Sequence, residues 1–183
     1  LVLDPHDEYY GRTGLGLKNH PAKEKVCYYT PTNPPAGANS LKINIHKLKP
    51  EHFQGAINLS DPQRQCLYVY YKKFKSNWIA SLLKEEKIEN VYFHEDTIAV
   101  VKRKLISLLG LEFENGQLYC QGIFDLIAGE NTVTDICNDL EQGKVVIIDT
   151  SYFSGAIEIL VGSLITTEIF EKYKHYKKNG FLD

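Results

Sequence analysis

Residues 143–149 are Gly143-Lys144-Val145-Val146-Ile147-Ile148-Asp149, a continuous apolar run that follows a glycine and ends in a carboxylate. A run that is apolar at every position is typical of a strand covered on both faces, as in a parallel sheet. The first four residues, Leu1-Val2-Leu3-Asp4, repeat this form. The two runs predict two strands that each carry an aspartate at the carboxyl end, which is the edge where α/β sheets bind ligands.

A long helix is predicted directly after the second run. Ser151 or Ser154 can cap its start, and it extends from about Gly155 to Lys178. Lysines collect in its last turns, where the helix dipole favours positive charge. Strand, turn and helix make half of a β-α-β unit, so the predicted fold class is α/β. One broad apolar arc is formed by Ile157, Leu160, Val161, Leu164, Ile165, Ile169 and Phe170.

The middle of the sequence is predicted to be mainly helical. Ser60 and Pro62 mark a helix start, after which apolar residues recur at helical spacing as far as Leu82. Further helices are predicted from about Glu95, ending at Gly110, and from Thr132, ending at Gly143. The predicted organisation is therefore a core start at 1–48 (strand, acidic loop and a half-exposed edge strand over 41–46), a helical insertion at 49–142, and a core strand with its long helix at 143–183.

Composition excludes several classes of protein. Apolar residues make up 43% and charged residues 24% of the 183, which argues against disorder. No apolar run approaches the ~18–20 residues of a membrane span, and the net charge of −2 does not indicate a general nucleic-acid binder. The four cysteines form no CxxC pair, so we expect free buried thiols in a reducing, cytoplasmic compartment.

The sequence contains no methionine, not even at its first position. It opens directly on residues that are predicted to form a strand. We therefore expect this chain to be an interior piece of a longer protein.

The densest polar cluster follows the first predicted strand and comprises Asp4, His6, Asp7 and Glu8. Mixed carboxylate and imidazole ligands suit Mn²⁺ or Zn²⁺, so one hypothesis is a metal-dependent hydrolase that uses all four side chains. A second hypothesis is that the carboxylates orient water or Mg²⁺ beside a nucleotide whose phosphates are held elsewhere. A surface turn that begins at Asp-Pro is the third interpretation, and composition leaves all three open.

Lysines and aromatic residues alternate near the middle of the chain. Lys72, Lys73 and Lys75 are candidate nucleic-acid contacts, since a few lysines suffice to bind a phosphate backbone. The other interpretation is a solvated helix face whose aromatic neighbours lie in the core. A non-catalytic interaction module, with the helical middle as its binding surface, also remains open.

Two segments resemble one known family. Residues 1–9, Leu-Val-Leu-Asp-Pro-His-Asp-Glu-Tyr, are similar to the V-x-D-P-H-G-E-Y segment of HerA-type ATPases, which are hexameric DNA translocases of the HerA/FtsK group of P-loop proteins. Residues 143–151 resemble the G-K-V-V-V-I-D-L-S strand of the same family. Residues 41–45 with the helix that follows at Pro50, and the helix through residues 169–173, also resemble segments of this family, whereas the helical middle is less similar. Asp7 departs from the pattern, because the family usually has glycine there.

The resemblance implies a partial RecA-like parallel sheet, the P-loop NTPase core, with a mainly helical insertion. The 183 residues contain no G-x-x-x-x-G-K-S/T motif. Residues 11–18 carry three glycines and a lysine but lack that ending, so a flexible loop is predicted there. In the family the phosphate-binding loop lies upstream of the Asp-Pro-His segment and Walker B lies downstream. We therefore expect the chain to be inactive by itself.

The resemblance also implies roles for residues and partners. Asp4 and Glu8 would act catalytically near the γ-phosphate and Mg²⁺, and His6, Asp149 and Ser151 would contribute to cofactor binding. The intact protein would use ATP and Mg²⁺ and form a homo-hexamer around double-stranded DNA. It would act with a NurA-type nuclease in DNA end processing.

Overall fold

A computed structural model describes residues 1–114 and 117–180, and within them the chain forms two compact units. The first unit comprises Leu1–Lys42 and the residues from Asn131 onward, and the second comprises Ile43–Glu130. The predicted subdomain boundaries after residues 48 and 142 stay a prediction. The predicted core segment 143–183 ends in residues 181–183, which lie outside the described part of the chain.

The described residues form eight short strands and five α-helices. None of these helices is sufficiently long and apolar to traverse a lipid bilayer. The strands are β1 (Val2–Asp4), β2 (Val26–Thr30), β3 (Asn39–Ser40), β4 (Ile43–Asn44), β5 (Leu111–Glu114), β6 (Gln117–Cys120), β7 (Phe124–Asp125) and β8 (Val145–Asp149). The helices are α1 (Asp61–Phe74), α2 (Trp78–Leu83), α3 (Glu95–Leu109), α4 (Thr132–Glu141) and α5 (Gly155–Lys178).

The first unit is built on a four-stranded parallel sheet with the strand order β1-β8-β2-β3. Val146, Ile147 and Ile148 of β8 are fully buried, as the unbroken apolar run predicts. The α/β fold class and both predicted strands are confirmed. The connection from β1 to β8 passes through most of the chain, and β8 lies between β1 and β2.

Helix α5 packs against α4 and approaches β1 of this sheet. Its start is capped by Ser154, whose hydroxyl accepts a hydrogen bond from the Ile157 amide at 3.4 Å. A side chain added at Gly162 would lie 3.2 Å from Leu3 of β1, so helix and strand are closely packed. The predicted apolar arc is wrong at Phe170, which is 62% exposed, because the fully buried positions are confined to the helix's first half. These are Leu160, Val161, Leu164 and Ile165.

A polar network joins α4 to the sheet. Asp139 accepts hydrogen bonds from the Tyr29 hydroxyl and from Lys144 Nζ, both at 2.8 Å. Burial raises the pKa of Asp139, but hydrogen bonds from Lys144, Tyr29 and Cys27 outweigh this effect and hold the pKa below its usual range. The carboxylate therefore ties α4 to β2 and to the start of β8 in its ionised form.

Acid is expected to lower the free energy of unfolding by protonating Asp139. Because its folded-state pKa lies below the unfolded value of 3.8, its contribution is present above about pH 4 and is lost as the pH falls through the folded-state pKa. We expect the free energy of unfolding, measured with urea, to change less between about pH 7 and pH 3 in Asp139→Asn than in the unmodified chain. Asp135→Asn, exposed on the same helix, is the control, and equal changes in both variants would contradict the prediction.

The first helix of the second unit, α1, begins where the sequence predicts. The Ser60 amide donates to Gln63 Oε1 at 3.2 Å, which forms the start of α1 together with Pro62. The expectation of unbroken helical spacing as far as Leu82 is wrong, because α1 ends at Phe74. Lys75 has a left-handed backbone with φ of 52°, which interrupts the helix before α2.

The predicted half-exposed strand at residues 41–46 is confirmed only at Ile43–Asn44, although Leu41, Ile43 and Ile45 are buried as the alternation predicts. Only β4 forms there, paired in parallel with β7, and a 3-10 turn follows at Ile45–Lys47. Asn44 points inward because its side chain is satisfied internally. Its Nδ2 donates to the Leu126 carbonyl at 3.2 Å, and its Oδ1 accepts from the His46 amide at 2.9 Å. A polar residue can thus occupy a buried position that the alternating pattern assigned to solvent.

The remainder of the second unit combines α3 with a hairpin. Helix α3 ends at Gly110, which has the predicted left-handed C-terminal conformation with φ of 59°. The antiparallel pair β5–β6 follows and was not predicted, since its strands are short and exposed. Trp78 of α2 is fully buried and donates its indole N–H to the Leu48 carbonyl at 2.8 Å.

All four cysteines are free thiols, as expected. Cys66 and Cys137 are buried, whereas Cys27 and Cys120 are only partly buried, so the prediction of burial holds for two of them. Burial raises the pKa of Cys27, Cys66 and Cys137 to about 11. These three thiols are therefore poor nucleophiles at neutral pH.

Candidate functional site

Two aspartates lie side by side at the carboxyl edge of the parallel sheet. Strands β1 and β8 are neighbours in register, with Asp4 opposite Asp149. The two residues are only 1% and 0% exposed. The Thr150 amide donates to the Asp4 carbonyl at 3.0 Å and so extends the pairing beyond the strands. The edge that the sequence marks as a ligand site thus carries two buried carboxylates.

Asp4 folds the acidic loop that follows it. Its Oδ2 accepts a hydrogen bond from the Tyr9 amide at 2.9 Å, and its Oδ1 accepts one from the His6 amide at 3.4 Å. Backbone amides are strong donors to a carboxylate, and they fix the course of the chain between β1 and Tyr9. Asp4 therefore shapes the loop from within.

Asp7 has a left-handed backbone with φ of 52°. The HerA pattern has glycine at this position, and aspartate is one of the few other residues that tolerate this conformation. The carboxylate is held by the Tyr28 hydroxyl, which donates to Asp7 Oδ1 at 2.5 Å. Tyr10 also stacks on Tyr28, with ring centroids 4.1 Å apart. The acidic loop is thus attached to β2, and the departure from the family pattern has a structural explanation.

Two substitutions at Asp7 separate its backbone role from its side-chain role. Both Asp7→Ala and Asp7→Gly remove the carboxylate, but only glycine adopts φ of 52° without steric cost. We expect Asp7→Ala to be less stable than Asp7→Gly by about 0.5–1 kcal/mol in urea unfolding, after allowance for the greater freedom of unfolded glycine. Equal stability of the two variants would count against the assigned conformation.

Both carboxylate oxygens of Asp149 accept hydrogen bonds. Its Oδ1 accepts from the Ser151 amide at 3.0 Å and from the Ser151 hydroxyl at 2.5 Å. Its Oδ2 accepts from the Thr30 hydroxyl at 2.8 Å and lies 3.4 Å from the Tyr28 hydroxyl oxygen, whose single proton is donated to Asp7. Burial, hydrogen bonding to Asp7 and the charge of Asp149 raise the pKa of Tyr28, so this hydroxyl stays a donor. Asp149 therefore links the ends of β8 and β2.

Arg12 supplies positive charge to this carboxylate cluster and was missed by the sequence analysis. Its Nη1 lies 3.8 Å from Asp149 Oδ2 and 4.0 Å from Asp7 Oδ2. Its Nη2 donates to the carbonyls of Thr32 at 3.0 Å and Asn33 at 2.8 Å. Nothing in the spacing of Arg12 indicates these partners. The only available signal was that Arg12 is one of three arginines in the chain.

Backbone hydrogen bonds to Tyr9 and Tyr10 close the segment 11–18, which the sequence predicts to be a flexible loop. The Leu17 amide donates to the Tyr9 carbonyl at 2.9 Å, and the Lys18 amide donates to the Tyr10 carbonyl at 3.2 Å. Gly11 and Gly16 meet so closely that a Cβ on either would lie 2.5 Å from backbone atoms of the other. This closure holds Arg12 beside the carboxylates.

The chain matches the family model described as Helicase HerA, central domain, over residues 1–169. It belongs to the HerA helicase central-domain family. The match includes both aspartates of the sheet edge and the whole acidic loop, and it confirms the family that the sequence resembles. No curated protein and no solved structure matches the chain. The intact protein is accordingly an enzyme of the ATPase and helicase type.

The remaining predicted site residues of this HerA domain lie on the surface. His6 and Glu8 are exposed, and neither side chain bonds to any residue within 1–114 or 117–180. Ser151 is exposed but turned back onto Asp149. The structure brings Asp4 and Asp149 together and leaves the imidazole of His6 and the carboxylate of Glu8 facing solvent. The roles assigned to these five residues stay predictions.

The predicted nucleic-acid residues lie in the second unit of the HerA domain. Lys72, Lys73 and Lys75 are exposed at the end of α1, while their neighbour Tyr70 is buried. This arrangement is that of a solvated helix face, and it leaves DNA binding by these lysines as a prediction.

The described residues do not form the ligand set that the metal-hydrolase hypothesis requires. Across the described ranges 1–114 and 117–180, no three His, Cys, Asp or Glu side chains are grouped so that they could hold a metal ion. Asp4 is occupied by loop amides, Asp7 by Tyr28, and His6 and Glu8 point to solvent. The four residues of the proposed cluster therefore do not converge.

Proposed function

We propose that this HerA domain is part of an ATP-driven, hexameric DNA translocase that encircles double-stranded DNA and acts with a NurA-type nuclease in DNA end processing. The observation that carries the proposal is the pairing of Asp4 with Asp149 at the carboxyl edge of a parallel sheet, in a chain that matches the HerA family. Parallel sheets of this kind bind ligands at that edge.

The two acidic residues of the family motif have different parts in this proposal. Asp4 is buried and its oxygens are bound by amides, so it acts as a positioning residue for the loop. Glu8 is exposed and has no partner among the described residues, so its carboxylate is available to order water near bound nucleotide. His6, exposed two residues away, can contact the same ligand, whereas Asp149 and Ser151 maintain the sheet edge.

One carboxylate of the acidic loop, that of Glu8, is available to Mg²⁺–ATP. Glu8 offers a free carboxylate, and oxygen ligands are those that Mg²⁺ prefers. Bound Mg²⁺–ATP supplies the phosphoryl group whose transfer to water drives translocation, with the metal neutralising charge on the phosphate oxygens. No phosphate-binding loop motif occurs within the 183 residues. In this proposal other residues of the intact protein supply the phosphate contacts.

Glu8→Gln tests the proposal in the full-length product of the gene. Glutamine keeps the size of the side chain but cannot accept a proton, and we expect DNA-stimulated ATP turnover to fall about 100-fold or more. The free energy of unfolding of the 183-residue chain should not change, because Glu8 is exposed and without a partner among the residues described. Wild-type turnover in Glu8→Gln would contradict the proposal.

Two controls accompany this measurement. Glu24→Gln alters an exposed glutamate of the same unit and should retain full turnover. The 183-residue chain alone should not hydrolyse ATP, with or without DNA, since it contains no G-x-x-x-x-G-K-S/T motif. Turnover by the chain alone would show that the nucleotide site was assigned wrongly.

A further inference from the structure

The last turns of α5 expose aromatic rings and lysines on one face. Phe170, Tyr173, Lys174 and Lys177 occupy positions i, i+3, i+4 and i+7, which align along one side of a helix. Phe170 is 62% and Tyr173 is 42% exposed. Lys178 borders this row. We call these five residues the α5 terminal surface.

This surface is positively charged within a chain whose net charge is −2. Residues 170–180 contain four lysines and one glutamate, a local charge of +3. Lys172 is paired with Glu141 at 2.6 Å and Lys174 with Glu171 at 2.8 Å. Lys177 and Lys178 are exposed and form no ion pair with any residue in the described ranges. They are free to bind an anionic partner.

The exposed rings are suited to stacking. Lys174 Nζ lies 5.2 Å from the centroid of the Phe170 ring, so a cation and a flat aromatic face are presented together. The rings are separate from the apolar side of α5, where Leu160, Val161, Leu164 and Ile165 are buried. A helix that inserts into a lipid surface needs a broad exposed apolar face, which α5 does not have. Two copies of the surface would repel each other through their like charges.

We infer that the α5 terminal surface binds single-stranded nucleic acid, with its lysines on the phosphates and Phe170 and Tyr173 stacked on bases. Lysines that follow the backbone and aromatic rings that stack on bases are the two elements of sequence-independent single-strand binding. The row spans about 10 Å of helix, the length of about three nucleotides at a spacing of about 3.4 Å. This goes beyond the proposed function, in which the partner is duplex DNA.

A lysine pair elsewhere in the first unit provides a matched comparison. Lys23 and Lys25 are exposed, but the nearest aromatic residues in sequence, Tyr28 and Tyr29, are buried. That pair offers charge without an exposed ring. Tyr92, which is 84% exposed, offers a ring without neighbouring lysines in sequence. The lysine pair thus controls for the loss of charge, and Tyr92 controls for the loss of an exposed ring.

The test measures binding of a fluorescein-labelled 20-nucleotide oligo(dT) to the 183-residue chain by fluorescence polarisation at low salt. We expect Phe170→Ala to weaken binding about 5- to 100-fold, and Tyr92→Ala to leave it unchanged. We expect Lys177→Ala/Lys178→Ala to weaken binding and to reduce the slope of log K against log salt by about 1.4, since each phosphate contact contributes about 0.7. Lys23→Ala/Lys25→Ala makes the same charge change at exposed lysines and should retain binding.

Several results would overturn the inference. These are no binding by the unmodified chain, equal losses in the two double-lysine variants, or no loss in Phe170→Ala. Equal affinity for a 20-base-pair duplex, or Phe170-dependent binding to vesicles of phosphatidylserine, would also overturn it. Because no outcome depends on ATP hydrolysis, failure here would leave the proposed ATPase function standing.

Discussion

Asp149→Ala is expected to destabilise the protein by about 3–4 kcal/mol, which is at the upper end for a single substitution. The carboxylate is fully buried and accepts hydrogen bonds from the amide and hydroxyl of Ser151 and from the Thr30 hydroxyl. Alanine would leave these donors without their acceptor and would remove one of the two carboxylates that face Arg12. The ends of β8 and β2 would then lose their polar link.

Urea unfolding of Asp149→Ala checks this prediction, and Asp135→Ala is its control. Asp135 is exposed on α4, so its loss should cost less than about 1 kcal/mol. Combining Asp149→Ala with Thr30→Val should cost less than the sum of the single changes, because both remove the same 2.8 Å hydrogen bond. A loss in Asp149→Ala no larger than that in Asp135→Ala would show that the buried network adds no stability.

Gly16→Ala is expected to open the loop at residues 11–18 and to destabilise the protein by about 2–3 kcal/mol. Its Cβ would lie 2.5 Å from the backbone of Gly11 and from the Tyr10 carbonyl oxygen. Backbone atoms cannot rotate away as a side chain can. The loop must therefore separate and lose the hydrogen bonds that the Leu17 and Lys18 amides donate.

Gly14→Ala is the matched control for this effect, because a Cβ at Gly14 would meet no atom within 4 Å. We expect Gly14→Ala to retain wild-type stability. Hydrogen exchange should show that the Leu17 and Lys18 amides lose protection in Gly16→Ala alone. Protected amides in Gly16→Ala, or equal destabilisation by Gly14→Ala, would disprove the close approach.

Local patterns were sufficient to predict the elements of the first unit. The unbroken apolar run of β8 predicted a strand buried on both faces, and Ser154 and Gly155 marked the start of α5. The aspartates at the ends of β1 and β8 were predicted to lie at the carboxyl edge of a parallel sheet, and both do. These features depend on residues that are close in sequence, where spacing alone determines the structure.

Features that depend on distant residues or on single backbone angles could not be predicted. Arg12 meets Asp149 only because the sheet places β8 between β1 and β2, an order that no local pattern specifies. Lys75 breaks the first helix of the second unit through a left-handed backbone that lysine rarely adopts. Asn44 turns inward because distant carbonyls at 126 and 127 receive its amide. In each case tertiary contacts override the local preference.

Because Trp78 is buried, its fluorescence reports on unfolding of the HerA domain. It is the sole tryptophan of the chain and lies in the second unit, where its indole is held by the Leu48 carbonyl. Tryptophan emission therefore monitors the loss of structure around α2, whereas far-ultraviolet circular dichroism averages over both units. Coincident denaturation curves from the two signals would identify a single cooperative transition, and displaced curves would identify two.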